Sequence, residues 1–364
     1  MRAPLSLQHN TRSVYLGRPP SAMWNEVVAK DREVMRALFE EAANEIRRKL
    51  GGVLCNVIKG PFHLLYYAKV HASRNALLSE SSALARAMGS SKAARRTMAT
   101  FDRAYSLSHL GGCTAAVVRD PRLGMIHLRC LDWHMARQEI ASATRIFEFE
   151  KDGRLIFRAV GIAGMVGVLS GVRPGVFSAT INFAPAKDAV SPLLREEPTM
   201  LLRRALETCI TYSEAVEFLS RPAVSAPVYF TVCGVMPREA CIIEIAHDEG
   251  VQRTHIRRIE ERPWLVQTNH YDPNGRLAEH NTYPPELANS PNAMSGNLEM
   301  SSAARRAFME EQLADLVRAG GGPSLERLTE LLGKPPTENE FTVQQMAFIP
   351  RTGEITAWAG TARG

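Results

Sequence analysis

Cysteine is scarce in this 364-residue chain, and so are metal-ligand spacings and long apolar runs. The six cysteines (Cys55, Cys113, Cys130, Cys209, Cys233 and Cys241) are too few for a disulfide scaffold, and none forms a C-x-x-C pair. Cys130, Cys209, Cys233 and Cys241 stand among apolar neighbours and read as small buried hydrophobes. No cluster of His, Cys, Asp or Glu has metal-binding spacing, so neither a metal nor a cofactor is expected. Residues 1–10 include Arg2, Pro4 and His9 and lack the apolar core of a secretory signal. The most apolar window, Val160 to Val172, is too short and too glycine-rich to span a bilayer. The expectation is a cytoplasmic protein whose membrane association, if any, is peripheral. Repeats and low-complexity tracts are absent.

Charge is present but uneven. The chain carries 44 Lys and Arg against 38 Asp and Glu, a net charge of +6. Residues 1–112 hold 17 basic and 8 acidic residues, and the remainder 27 and 30. A basic front ahead of a near-neutral body suits an anionic surface such as a membrane, and equally an ordinary solvated helical face. No basic patch interleaved with aromatics appears, so no nucleic-acid partner is expected.

The period of the apolar residues divides the chain. A short strand and Pro19-Pro20 precede a helix from about Met23 to Leu50, capped by Ser21, with Val27, Val28, Met35, Leu38, Phe39 and Ala42 at helical spacing. An apolar segment, Phe62–Val70, and a helical stretch from Asn75 to Tyr105 complete a mainly helical front. From Cys113 the period becomes that of strands. Thr114–Val118 and Met125–Leu131 flank a turn of Asp120, Pro121 and Gly124, and Thr144–Glu150 and Leu155–Val160 flank Lys151-Asp152-Gly153-Arg154. Val160–Leu169 pairs with Val176–Asn182. Residues 196–219 turn helical, strands return at 228–235, 240–246, 251–259 and 264–269, and a polar loop fills 272–297. Helices at 301–318 and 324–332 and a hairpin at 341–349 and 354–358 close the chain. Alternating blocks of strands and helices predict an α+β layered sandwich with antiparallel sheets. The boundary falls between residues 1–112 and 113–364.

The stretch Gly111–Trp133 carries the chemistry. Cys113 opens a strand, and Arg129 and Asp132 lie at the far end of the neighbouring one, where a tight hairpin brings them back beside it. A free thiol is mostly protonated at neutral pH and attacks only with a base or cation nearby. A chain break at Gly112–Cys113 would supply that base, because the freed α-amine could take the thiol proton. Arg129 would then face the sulfur, and Asp132 would accept hydrogen bonds from the α-ammonium. The plainer alternative is a cross-strand ion pair between Arg129 and Asp132, worth about 0–1 kcal/mol if exposed.

Cys113-Thr114-Ala115-Ala116-Val117-Val118 and His127-Leu128-Arg129-Cys130-Leu131-Asp132 resemble the nucleophile strand and the following strand of the acid ceramidase and N-acylethanolamine acid amidase family, within the cholylglycine-hydrolase branch of N-terminal-nucleophile hydrolases. Val14–Trp24, Ser170–Asn182, Val266-Gln267-Thr268-Asn269 and Phe341–Trp358 are similar to further family motifs, in the same order. The resemblance implies a four-layer αββα sandwich with a helical N-terminal segment. It implies that Cys113 is the nucleophile, that Gly112–Cys113 is the self-cleavage site and that Arg129 and Asp132 position amine and substrate. Asn269 would donate to the tetrahedral oxyanion, where its alternative is an Asx turn before Asp272. Asn182 would line the scissile amide or merely end its strand, and Trp133 and His127 would line the substrate. Gly111-Gly112 would tolerate the strained backbone of an N-to-S acyl shift.

The implied reaction is hydrolysis of a linear N-acyl amide, of fatty-acid or ceramide-like type, with an α/β heterodimer after cleavage and no cofactor. Two features depart from the family: Phe183 replaces an acidic residue, and only Arg276 is available for an arginine after Asn269. They leave open a penicillin V, bile-salt or acyl-homoserine-lactone acylase, an acyltransferase, or a non-catalytic lipid-binding protein on the same scaffold.

Overall fold

A computed structural model describes residues 5–8, 10–50, 76–89, 91–95, 97–98, 112–184, 195–248, 250–280, 294–319 and 324–360. The expected apolar segment Phe62–Val70, Gly111 and the later part of the expected helix 75–105 lie outside these residues.

The front contributes strands β1 (Leu5–Ser6) and β2 (Thr11–Tyr15) and helices α1 (Pro20–Met23), α2 (Asn25–Leu50) and α3 (Ala76–Ala87). The hairpin follows as β3 (Cys113–Asp120) and β4 (Gly124–Asp132), then α4 (Arg137–Ala143), β5 (Thr144–Lys151), β6 (Arg154–Ile162), β7 (Ser170–Arg173) and β8 (Phe177–Phe183). Helices α5 (Pro198–Thr208) and α6 (Tyr212–Ser220) precede β9 (Val228–Gly234), β10 (Ala240–Asp248), β11 (Val251–Arg258) and β12 (Trp264–Gln267). Helices α7 (Met294–Arg318) and α8 (Leu325–Leu332) and the closing hairpin β13 (Thr342–Ile349) and β14 (Glu354–Ala359) end the described chain.

Two sheets result. One runs β1-β14-β13-β4-β3-β12 and is antiparallel throughout; the other runs β11-β10-β9-β8-β7-β6-β5-β2 and is antiparallel except for β2 against β5. They face each other, with Ile146, Val160 and Val172 of one packed on Met346, Phe348 and Ala357 of the other. Helices α7 and α8 cover the outer face of the first sheet, where Met309, Leu313, Leu328, Leu331 and Leu332 meet Ala116, Val118, Ile126 and Leu128. Helices α5 and α6 cover the outer face of the second. The expected α+β sandwich is thus present as four layers, αββα.

Period-2 alternation decides which side chains enter the space between the sheets. On β3 and β4 the inward set is Cys113, Ala115, Val117, His127, Arg129 and Leu131, while Thr114, Ala116, Leu128, Cys130 and Asp132 face the helices. The turn between the two strands is an Asx turn. Asp120 Oδ1 accepts from the backbone N–H groups of Arg122 and Leu123 at 2.8 and 2.6 Å, and Gly124 takes the positive φ of 86° that L side chains avoid.

Three expectations shift. The predicted strand 160–169 ends at Ile162, because Gly164 (φ 101°) turns the chain before β7 begins. The predicted helix 196–219 is two helices, parted at Thr211, whose hydroxyl caps the second by accepting from Glu214 N–H at 3.1 Å. Helix α7 starts at Met294 rather than 301.

The front is tied to the body by buried charge. Asp31 accepts from Arg12 at 2.6 Å and from Arg145 at 2.8 Å. Glu80 takes Arg203 in a two-point pair of 2.8 and 3.2 Å and also accepts from Trp24 Nε1 at 3.1 Å. Arg203 is wholly buried and lies 5.1 Å from the Phe149 ring centroid. No helix among the described residues is long and apolar enough to cross a membrane.

Candidate active site

The first residue of β3 is the meeting point of four elements. Cys113 is 1% exposed, and its sulfur lies 3.3 Å from Arg129 Nη2. Arg129 arrives there by register: it pairs with Ala115, two residues along the same face from Cys113. Its Nη1 reaches Asn182 Oδ1 at 3.4 Å, on β8 of the facing sheet, and its Nε has no hydrogen-bond partner among the described residues. Asn182 Nδ2 donates to the carbonyls of Gln267 and Thr268 at 2.9 and 3.1 Å, so β8 also holds the end of β12 in place.

The main chain at position 113 is gripped as tightly. Its N–H donates to Asn269 Oδ1 at 2.8 Å, and its carbonyl accepts from Arg305 Nη1. Arg305 also donates to Thr114 Oγ1 and to Asn269 Oδ1, both at 2.9 Å. With two donors converging on it, the Asn269 oxygen must face Cys113, and its Nδ2 donates instead to the Phe183 carbonyl at 3.0 Å. Before the carbonyl of residue 112 the chain is held again: Gly112 O accepts from Asp132 N–H at 2.8 Å.

The plainer alternative fails, since Arg129 and Asp132 form no ion pair. The two are three residues apart on an extended strand and so leave it on opposite faces. The Asp132 carboxylate sits on the helix side, accepting from Thr342 Oγ1 at 2.8 Å and Asn339 Nδ2 at 3.0 Å, and flanks Gly112 rather than the thiol. What Gly112 provides is room, since a Cβ there would stand 2.8 Å from Asp132 Oδ2. In the unbroken chain Asn269 presents its amide oxygen to the Cys113 N–H, while the oxyanion contact expected of it belongs to a substrate complex. His127 is wholly buried between the sheets, bonded to Ser178 Oγ at 2.9 Å and Thr180 Oγ1 at 3.1 Å. Burial, then Arg129, lowers its pKa to about 3. Trp133 is wholly buried in the main apolar core. Both are buried in the unbroken chain, as Cys113 itself is.

Arg305 was missed. It lies 192 residues from Cys113, on α7, while Arg276, the arginine available in the loop after Asn269, is exposed and outside the cluster. Its signal was the pair Arg305-Arg306 inside a helical pattern, a place where charge usually means a solvated face.

Electrostatically the thiol is contested. Burial pushes the Cys113 pKa up, Arg129 and Arg305 pull it down, Asp132 raises it, and a backbone hydrogen bond at Phe183 lowers it; the net direction is upward. In the unbroken chain Cys113 is therefore a buried thiol that still needs a base.

The four-layer αββα sandwich with Cys113 at the head of an inner strand has a counterpart among solved structures. The solved structure of the Caenorhabditis elegans N-acylethanolamine-hydrolyzing acid amidase ortholog superposes with a TM-score of 0.53 at 20% identity, over 68% of this chain and all of that one.

In sequence, the acid ceramidase of Macaca fascicularis is 28% identical over 179 residues, 43% of this chain and 45% of that protein. The N-acylethanolamine-hydrolyzing acid amidase of Caenorhabditis elegans is 25% identical over 265 residues, 70% of this chain and 73% of that protein. No family model matches. The chain spans about half the length of the acid ceramidases it matches. In sequence it is similar to acid ceramidases and to an N-acylethanolamine-hydrolyzing acid amidase.

Proposed function

We propose that this chain is a cysteine amidohydrolase that cuts itself at Gly112–Cys113 and then hydrolyses a linear N-acyl amide through an acyl-Cys113 intermediate. The observation that carries this reading is the grip on residue 113. The thiol meets a guanidinium, the N–H meets Asn269 Oδ1, and the preceding carbonyl already accepts a hydrogen bond.

In self-cleavage the sulfur bonds to the Gly112 carbonyl carbon while the C–N bond breaks, and the thiol proton ends on the departing Cys113 nitrogen. The Asp132 N–H on that carbonyl supports the negative charge that builds on its oxygen. Water then cleaves the thioester, leaving a Gly112 carboxylate, a free thiol and a free α-amine. Departure of Gly112 vacates the space in front of Asp132 Oδ2, into which the α-ammonium can turn. Asp132 regains in this way the orienting role expected for it.

Turnover repeats the chemistry on substrate. The α-amine takes the thiol proton, the thiolate attacks the acyl carbonyl, and the proton passes to the leaving amine. Water deprotonated by the α-amine then releases the carboxylic acid. Arg129, Asn182 and Asn269 surround the point of attack. The relatives are named for ceramide and N-acylethanolamine, which supports a lipid-like acyl chain and a product pair of fatty acid and amine. The basic front would remain as the second subunit of a heterodimer, held by the Glu80–Arg203 and Asp31–Arg145 pairs. A membrane surface is the partner that suits its charge.

Intact-mass measurement of purified protein tests the proposal. A fragment beginning at residue 113 is expected, and the Cys113→Ala chain should remain whole at 40.2 kDa and inert toward N-acyl amides. Cleavage or turnover by that variant sinks the assignment of nucleophile.

A further inference from the structure

Behind Asn269 lies a second buried cluster that the reaction as proposed does not use. Ser302, on the first part of α7, is wholly buried, and its hydroxyl is a junction of three contacts. It accepts the backbone N–H of Asn269 at 2.8 Å, lies 2.7 Å from His270 Nδ1, and lies 3.0 Å from Thr268 Oγ1. Thr268 is wholly buried and His270 is 8% exposed. Three successive residues after β12 thus converge on one oxygen of the helix.

The position of that oxygen gives it meaning. Ser302 is three residues before Arg305, so the two leave α7 on the same face. Ser302 holds the main chain of Asn269, while Arg305 holds its side chain and the Cys113 carbonyl. Ser301 adds a brace by accepting from Arg305 Nε at 3.2 Å. A single turn of helix therefore sets both the height and the rotation of the Asn269 amide relative to Cys113. The imidazole suits this place because it is neutral: burial first, then Arg306 and Arg305, lower the His270 pKa to about 4, so no third cation crowds the two arginines.

We propose that Ser302, together with His270 and Thr268, is the positioning centre that registers Asn269 and Arg305 against Cys113. Ser302 touches no reacting atom. It acts through Asn269, which holds the Cys113 N–H, and Arg305, which holds the Cys113 carbonyl, and the inference rests on the amidase reading above. A loss of register by an ångström at a reacting centre is enough to cost about a hundredfold in rate, which is the scale on which a lost hydroxyl would show.

The experiment has two arms. In the unprocessed Cys113→Ala chain, hydrogen exchange at the Asn269 amide reads the junction directly. Ser302→Ala should speed it by about tenfold or more by opening its acceptor, and Ser302→Thr should restore protection. In the otherwise native chain, turnover of a lauroyl amide of aminomethylcoumarin reads the consequence. Ser302→Ala should lower kcat by about tenfold to a hundredfold with KM within about twofold, and Ser302→Thr should recover most of the loss. Unchanged exchange in the first arm, or unchanged kcat in the second, overturns the proposal. Should Ser302→Ala fail to fold, Thr268→Val and His270→Asn decide it in the same two assays: lower kcat at constant KM supports it, and wild-type values in both refute it. A native chain that never cleaves itself and never turns over the amide refutes the amidase reading instead, and the exchange arm still decides the junction.

Discussion

Replacing Gly112 by alanine tests the closest approach in the candidate site. The new methyl carbon would stand 2.8 Å from Asp132 Oδ2 and 3.4 Å from Arg305 Nη2. The carboxylate is not free to retreat, since Thr342 Oγ1 and Asn339 Nδ2 hold its two oxygens at 2.8 and 3.0 Å. Relief therefore requires breaking one hydrogen bond to a charged group, which costs about 1.5–3 kcal/mol. The comparison is cleanest between Gly112→Ala/Cys113→Ala and Cys113→Ala, because both chains then stay whole and urea unfolding reads only the clash. A loss of about 1.5–3 kcal/mol is expected there. In the chain that keeps Cys113, the same substitution should slow appearance of the fragment starting at 113, followed by intact mass over time. Equal unfolding midpoints and an equal rate of cleavage would refute the claim that residue 112 is glycine for want of space.

Three buried imidazoles make a pH prediction. His127, His247 and His270 have pKa values lowered to about 3, 4 and 4, with burial the leading cause in each. Because an unfolded histidine titrates near 6.5, the unfolded chain binds more protons as pH falls, and stability present above about pH 6.5 is lost progressively toward pH 4. The free energy of unfolding should drop between pH 7.5 and pH 4.5 by an amount on the order of a few kcal/mol, seen as falling urea midpoints, and a flat or rising profile would contradict the burial. At the junction of front and body, Glu80→Ala leaves Arg203 buried without its two-point partner and should cost about 3–5 kcal/mol in calorimetry or urea unfolding. The double variant Glu80→Met/Arg203→Met should recover part of that loss, and a double variant worse than the sum of the singles would argue against the pair.

The hairpin was legible because its rules are local. Alternation located β3 and β4, Asp120 and Gly124 announced their turn, and register then brought Arg129 to the Cys113 sulfur. The same alternation already forbade Arg129 and Asp132 from sharing a face, so parity excluded the cross-strand ion pair between them. Arg305 and Ser302 were out of reach for a different reason. Nothing within helix α7 says which of its faces docks on β3 and β12, and that choice depends on packing between elements far apart in the chain. His127 illustrates the converse limit. A histidine two registers from a nucleophile looks functional in sequence, yet Ser178 and Thr180 on the facing sheet satisfy both ring nitrogens and make it part of the interior. The division of the 196–219 helix was readable after the fact, since Thr211 with Glu214 three residues later is a capping pair.

The two strands of the front have a consequence for how the protein must be handled. Strand β1 lies outside β14 and β2 lies outside β5, so each sheet is finished at one border by chain from the opposite side of the Gly112–Cys113 bond. A protein begun at residue 113 would present two rows of unsatisfied backbone amides and carbonyls, the template on which chains add to one another. The leading piece is therefore an edge-guard for the body, and truncations that remove Leu5–Ser6 or Thr11–Tyr15 would act on solubility before they acted on catalysis.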